Sequence, residues 1–370
     1  MKFAINRGQL LNTLNIVSKA VSNKNPLVIL RGIKFSLTNE GLTLTASDSD
    51  ISIVSKINLD DNNITVFEPG EVVLDAKYIT EIVRKIESDI IELETIEENV
   101  LNIHDNYSNF SLNCMIASDY PTIDLGNGVS QLKLSSLDLS SIINKTSFAA
   151  SDKETRPILT GINLKAHDHV LETVATDSYR LAKTTISIDS DCEFEVTLPA
   201  RILNEVNKII ENESTVELNV SESKVIFVFK DTIISTRVIS GAYPNTSKLI
   251  PPAFEYKLET LAPALISAID RASLLSSDRN NVVKLSMKPE SVSISSRSQE
   301  VGSAKETIST FNYSGINLEI SFTSKYVIDA IKSLGSDNIV ILFNGDMKPF
   351  IIKNKDDDSC IQLVLPVRTY

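Results

Sequence analysis

Glu71–Ile86 reads EVVLDAKYITEIVRKI, Glu195–Ile210 reads EVTLPARILNEVNKII, and Glu319–Leu334 reads EISFTSKYVIDAIKSL. Successive copies start 124 residues apart, and two equal offsets mark internal duplication rather than chance. In each copy a short alternating run gives way to apolar residues at helical spacing: Ile79, Ile82, Val83 and Ile86; Ile202, Leu203, Val206 and Ile210; Val327, Ile328, Ile331 and Leu334. A period of two changing to 3.6 predicts a strand followed by an amphipathic helix. Alternating strands follow each helix: DIIELETI, then STVELNV with KVIFVFK, then NIVILFN.

The segments upstream repeat the same order. KFAINRGQLLNTLNIV, LKLSSLDLSSIINKTSF and YKLETLAPALISAIDRAS each give a strand, a turn and an amphipathic helix, with Leu10, Leu11, Leu14, Val17 and Val21 as the apolar stripe of the first. Further strand pairs follow, IKFSLT with LTLTAS, INLKA with LETVAT, and VKLSM with SVSISS, parted by polar turns such as TNEG and HDH. The expected fold is α+β: three similar domains, each of two β-α-β-β-β units. Boundaries fall near Asn127 and Pro252, marked by Gly126, Gly128, Pro251 and Pro252, which gives domains 1–127, 128–252 and 253–370. One helix cannot cover both faces of a four-stranded sheet, and each edge strand must be paired or blunted. Three such domains in a row favour end-to-end sheet continuation and a closed ring, with helices on one wall and strands on the other.

The 370 residues carry 36 Lys+Arg against 48 Asp+Glu, a formal charge of -12, which excludes a protein that is basic throughout. The six helical windows together sum to +4, so the remaining surface holds -16. Attraction on the helical side and repulsion elsewhere suits a ring around a polyanion, although solvated helices also carry Lys and Arg without any such role. The candidate phosphate contacts are Arg7, Lys19, Lys24, Lys77, Arg84, Lys85, Lys145, Lys153, Arg201, Lys208, Arg271 and Lys332. Few cations per helix and no interleaved aromatic platform predict loose holding without base readout.

Nothing nominates a nucleophile, and the candidate metal ligands, the histidines of AHDHV and two aspartate clusters, read better as turns. Cys114, Cys192 and Cys360 are far apart and in no C-x-x-C pair, which fits a reducing cytosol better than a disulfide framework. The pair in AHDHV reads as a hairpin turn. Asp48 and Asp50 in TASDSD, and Asp356 to Asp358, read as turn or strand-end residues because no further carboxylates stand at EF-hand spacing. G-x-S-x-G, H-E-x-x-H and the glycine-rich nucleotide loops do not occur. With no continuous apolar segment near 18 residues, the chain is expected to be soluble and cytoplasmic.

Four motifs in register, MKFAINRGQLLNTL at the start, VATDSYRLA (Val174–Ala182), SGAYPNTSKLIP (Ser240–Pro251) and LVLPVRTY (Leu363–Tyr370), resemble the bacterial DNA polymerase III beta subunit, the replicative sliding clamp. The resemblance spans the whole chain. It implies a non-catalytic, head-to-tail homodimeric ring of six domains around duplex DNA, with helices lining the channel. The ring would be opened by a clamp loader and would tether the replicative polymerase and other partners. No cofactor or metal is implied.

The resemblance also places a peptide pocket between the second and third domains, formed by Leu159, Thr176, Ser178, Tyr179, Arg180, Leu181, Pro244, Lys248, Leu249, Tyr326, Leu365, Pro366, Val367 and Arg368. Apolar side chains there would take a partner's anchors, while hydroxyls and cations would meet its polar groups; for Leu159, Leu181 and Leu365 taken singly, core packing is an equally good account. Lys248 stands where the family often has Arg, and Asn280 where some members have Phe. Lys24 and Lys153 fall at channel-facing positions, Lys153 replacing a neutral residue of some relatives. Phe110 and Leu112, with Leu274 and Leu275, fall at the subunit interface. The competing readings are a peptide-binding scaffold of the same fold that does not encircle DNA, and a hydrolase whose site carries no familiar motif.

Overall fold

The computed structural model describes residues 1–59, 63–97, 99–126, 130–210, 215–276 and 281–368. The first repeat runs β1 (Lys2–Asn6), α1 (Arg7–Val17), β2 (Gly32–Thr38), β3 (Gly41–Ser47), β4 (Ile51–Asn58), β5 (Ile64–Glu68), β6 (Gly70–Asp75), α2 (Ala76–Lys85), β7 (Ile90–Glu97), β8 (Val100–His104) and β9 (Asn109–Asn113). The second runs β10 (Ser130–Ser135), α3 (Ser136–Thr146), β11 (Gly161–His167), β12 (Val170–Thr176), β13 (Arg180–Ser187), β14 (Phe194–Pro199), α4 (Ala200–Ile209), β15 (Thr215–Val220), β16 (Lys224–Phe229) and β17 (Thr232–Arg237). The third runs β18 (Tyr256–Leu261), α5 (Ala262–Ser273), β19 (Val282–Lys288), β20 (Ser291–Ser298), β21 (Gly302–Ile308), β22 (Phe311–Ser314), β23 (Leu318–Thr323), α6 (Ser324–Ser333), β24 (Asn338–Phe343), β25 (Phe350–Asn354) and β26 (Cys360–Val364).

Six β-α-β-β-β units are therefore present, as the periodicity predicts. Two strands lie outside that pattern: β5 beside β1, and β22 beside β18. The helices are shorter than the sequence windows. The first ends at Val17, Lys19 sits on a following 3-10 turn (Ser18–Ala20), and Lys24 and Lys153 lie in loops.

Sheets run across the repeat boundaries. One sheet has the order β10-β15-β16-β17-β4-β3-β2-β6, so the second repeat joins the first through β17 and β4, where Ser55 and Thr232 share a hydroxyl hydrogen bond of 2.9 Å. Another has the order β14-β11-β12-β13-β26-β25-β24-β18-β22 and joins the second repeat to the third through β13 and β26. The remaining sheets are β5-β1-β7-β8-β9 and β21-β20-β19-β23.

Consequently the compact units are not the repeats. One comprises Met1–Ser136 with Glu205–Val238, the other Leu137–Asn204 with Ile239–Tyr370, and the middle repeat is divided between them. In the first unit α1 packs against α2, β3 and β4, burying Leu10, Leu14 and Val17 completely. Asn6 caps α1 by accepting from the Gln9 amide at 3.0 Å, and Asp75 caps α2 by accepting from Lys77 and Tyr78. In the second unit α5 packs against α6 over a core that includes Leu265, Ile269, Phe322, Ile331 and Phe343. Stripe and alternation thus bury the faces that the sequence marks as apolar.

Gly41 opens β3 at φ 134°, where an added Cβ would stand 2.1 Å from the Ile57 carbonyl oxygen of β4. Neither the dihedral nor the space admits a side chain. Gly41→Ala is expected to lower stability by roughly 1–3 kcal/mol, read as a shift in the urea midpoint at constant slope. An unchanged midpoint would show that β3 and β4 separate at no cost.

Candidate functional site

The turn between β12 and β13 is tied almost entirely to itself. Asp177 Oδ1 accepts from the amides of Tyr179 (2.8 Å) and Arg180 (3.0 Å), and Thr176 Oγ1 donates to the Arg180 carbonyl (2.6 Å) while accepting from the Ser178 amide (3.1 Å). These bonds hold Ser178 at φ 77°, in the left-handed region that few non-glycine residues occupy. Tyr179 is left 59% exposed. The chain after β26 docks here, with the Leu365 amide donating to the Tyr179 carbonyl at 2.9 Å and the Val367 amide to the Ser321 carbonyl at 2.7 Å.

Below the turn, register aligns one row across five strands: Thr176, Leu181, Leu363, Ile351 and Leu342. Val174, Leu181, Ile351 and Leu363 form a separate apolar cluster against which Leu365, Tyr243, Ile250 and Phe254 pack half-buried. Burial there raises the Tyr243 hydroxyl well above the usual tyrosine range. Pro244, Lys248 and Leu249 are exposed on the segment that includes Tyr243, with Lys248 and Leu249 on a 3-10 turn (Ser247–Leu249). Leu159, buried on the 3-10 turn Pro157–Thr160, holds the Ser151 amide through its carbonyl at 2.8 Å. The resemblance omits Val174, Leu363, Ile351, Leu342 and Tyr243, because in sequence the strand residues among them read as ordinary core.

Two named residues face inward. Thr176 spends its hydroxyl on the turn, and Arg180 is 8% exposed, with Nε on Asp177 (3.1 Å), Nη1 on Asp329 (2.9 Å), and its guanidinium 4.7 Å from the Tyr326 ring centre and 5.2 Å from that of Phe148. Thr176 thus has its hydroxyl engaged within the turn, and Arg180 has two of its three guanidinium nitrogens on carboxylates. Asn280 lies outside the described residues, as do Asn127, Gly128 and Tyr370.

The junction of β4 with β17 has the same turn but a different floor. Asp48 Oδ1 accepts from the Asp50 and Ile51 amides, and Ser49 sits at φ 84°. The corresponding row reads Ser47, Ser52, Ser235, Ile226 and Asn219, and the hydroxyls of Ser47 and Ser52 bond to each other at 2.8 Å. Serines replace leucines, so this copy offers an apolar anchor no floor. Of the two junctions within the chain, only that of β13 with β26 carries a leucine-lined row.

Among the helix-borne cations, several are already paired: Lys19 and Lys208 with Glu205 (3.8 and 2.8 Å), Arg84 with Glu81, Lys145 with Asp357 (4.0 Å), and Arg271 with Glu306 (2.7 Å). Arg84, Lys85, Lys145, Lys208, Arg271 and Lys332 stand in last helical turns, where they also offset the helix dipole. Arg7 and Arg201 open α1 and α4, Arg7 half-buried and Arg201 exposed. Exposed Lys77 lies beside the Tyr78 ring. Lys24 and Lys153, 129 residues apart, are equivalent: both are exposed, and each amide meets the hydroxyl of a serine two residues earlier.

Among the eight strands that end the four sheets are β9 and β21. Phe110 is 36% exposed on β9, with Leu112 half-buried; Leu274, just past α5, is 77% exposed and Leu275 half-buried. Elsewhere His167 and Val170 close the AHDHV hairpin, with Asp168 and His169 at positive φ as a two-residue turn requires. Among the described residues, one set of metal-ligand types converges, Glu92, Glu94 and His104, and the Lys2 ammonium lies against both carboxylates at 3.1 and 3.2 Å, supplying their countercharge. Burial pushes the Cys360 thiol up to about 11 and raises Cys114 as well. Alkylation at pH 8 should therefore modify Cys192 well before the other two; fast labelling of Cys360 would contradict its burial.

Comparison with known proteins accounts for the whole of this architecture. Models of the DNA polymerase III beta subunit match in order along the chain: the N-terminal domain over residues 1–124, the central domain over 133–245 and the C-terminal domain over 247–368. The chain belongs to the DNA polymerase III beta subunit family. It is 39% identical over 378 residues to the beta sliding clamp of Bacillus subtilis and 39% identical over 376 residues to that of Staphylococcus epidermidis, each comparison covering 100% of both chains. Among solved structures, the Bacillus subtilis sliding clamp superposes with a TM-score of 0.96 at 38% identity, and the beta chain from Streptococcus pneumoniae with 0.96 at 34%, again over 100% of both chains. The three-domain α+β fold expected from the repeat, and the clamp fold that the resemblance implies, are thereby shown, and a beta clamp is a non-catalytic processivity subunit of the polymerase holoenzyme.

Proposed function

We propose that two copies of this chain close head to tail into a ring of six domains, 1–127, 128–252 and 253–370 in each copy, around duplex DNA. In replication the ring slides along DNA without reading sequence and tethers the polymerase, after a clamp loader has opened it in the cytoplasm. One observation carries the reading. In both junctions within the chain, the last strand of a domain's first half pairs with the last strand of the next domain's second half, β4 with β17 and β13 with β26. The same rule leaves β21 to pair with β9 of another copy, unlike surfaces that close a ring when the rotation permits.

Charge supports the match. Between Lys85 and Lys133 stand nine acids and no Lys or Arg, whereas Arg271 to Glu306 hold six Lys or Arg against four acids. Partners dock a short peptide with apolar anchors over the Leu181–Leu363 row, with Lys248 and Arg368 at its rim. Scattering should give twice 40.7 kDa, and loaded protein should stay on nicked circular DNA until the circle is cut. Lys24→Glu with Lys153→Glu should shorten that retention several-fold at low salt, since two phosphate contacts are lost from each copy. Retention indifferent to both reversals would favour a scaffold that does not encircle DNA.

A further inference from the structure

Asp177 does two things with one carboxylate: Oδ1 organises the turn amides, and Oδ2 holds Arg180 Nε at 3.1 Å. The orientation of the guanidinium therefore fixes that of the turn. A fork held from one side can swing; a second carboxylate on another nitrogen stops it. Asp329, half-buried on α6, is that second carboxylate, 2.9 Å from Nη1, while the Phe148 and Tyr326 ring centres lie 5.2 and 4.7 Å from the guanidinium. We infer that Asp329 is a positioning residue of the peptide pocket, acting through Arg180 on the turn that carries Ser178 and Tyr179. The inference rests on the pocket reading above.

The link has leverage because the turn is held in a costly conformation by its surroundings. Ser178 at φ 77° persists only while its bonds do, and the Tyr179 carbonyl is the acceptor that anchors Leu365. Loss of the Asp329 charge frees one side of a nearly buried cation, and both walls of the pocket then loosen together. Asp329 also pairs with Lys325, one helical turn away at 2.7 Å. That exposed pair could be the whole reason for the carboxylate, and it makes a separable control.

The test uses the full chain and a labelled synthetic peptide with leucine and phenylalanine anchors. Asp329→Asn should weaken peptide binding about tenfold, Asp329→Glu, which keeps the charge but displaces it by one methylene, about threefold, and Lys325→Ala not at all, as expected for one charge-assisted bond to a buried partner. The chain has no tryptophan, so Tyr179→Trp places a single indole on the turn, and its anisotropy should fall in the Asn variant and largely recover in the Glu variant. If Asp329→Asn does not fold, the Glu variant carries the test through the same two readings. Unchanged affinity and anisotropy, with Leu181→Ala still weakening the peptide, overturns the inference alone. Lys325→Ala reproducing the loss overturns it too. If Leu181→Ala also leaves affinity untouched, the pocket reading falls and takes the inference with it.

Discussion

Phe110→Asp combined with Leu274→Asp is expected to yield a 40.7 kDa monomer that circular DNA no longer retains. Phe110 lies on β9, which ends one sheet, and Leu274 lies beside the helix that packs on β21, which ends another. A closed interface would bury both side chains. An aspartate in either place must lose its hydration without a partner, costing on the order of several kcal/mol per site, enough to raise the dimer dissociation constant by roughly a thousandfold or more. Peptide binding should survive, because neither substituted residue is among the named pocket residues and Phe110 lies in the other compact unit. Light scattering at micromolar concentration decides the matter. A persistent dimer would move the interface elsewhere on the chain.

The second large effect belongs to the pocket. Removing Leu365 to Tyr370 deletes the strand extension that bonds to Tyr179 and Ser321, and Leu181→Ala removes the leucine of the apolar row nearest the turn. Each change is expected to weaken an anchor peptide by at least about thirtyfold, the scale of a central hot-spot residue. Leu181 is 2% exposed, so its truncation should also lower stability by about 2–5 kcal/mol. The tail deletion leaves the core intact and separates the two effects. Molar mass should not change in either variant. Full peptide affinity in both would remove the docking assignment while leaving the ring untouched.

The three copies beginning at Glu71, Glu195 and Glu319 make the six strand-helix units legible, because periodicity is a local property that survives divergence. β5 and β22 are not legible. Phe311–Ser314 is four residues long, too short for alternation to register, and Ile64–Glu68 has only one buried residue. The continuation of sheets between repeats follows from counting edges, yet which strands meet does not, since Leu181 and Leu363 are opposed through a register that no short window contains.

The site divides in the same way. Motif resemblance finds the Thr176–Leu181 turn but reads Arg180 as a cation offered to a partner. Its engagement depends on Asp329, 149 residues further along, in a helix where an aspartate four residues after Lys325 looks like an ordinary surface pair. The hydroxyl floor at Ser52 and Ser235 shows the converse. Polar residues in place of leucines, Ser52, Ser235 and Asn219 against Leu181, Leu363 and Leu342, distinguish the floors under the two turns, and the sequence displays this plainly once the register is known.

The division of the middle repeat between two compact units separates heredity from folding. What was duplicated is a stretch of about 124 residues; what holds together is a pair of bodies that each borrow half of the central copy. A fragment cut at the repeat boundaries would expose β13 and β17 along their full lengths, stripped of β26 and β4, as adhesive templates for neighbouring molecules. Isolated single repeats should therefore aggregate, and the whole chain should melt in steps that ignore the boundaries its ancestry drew.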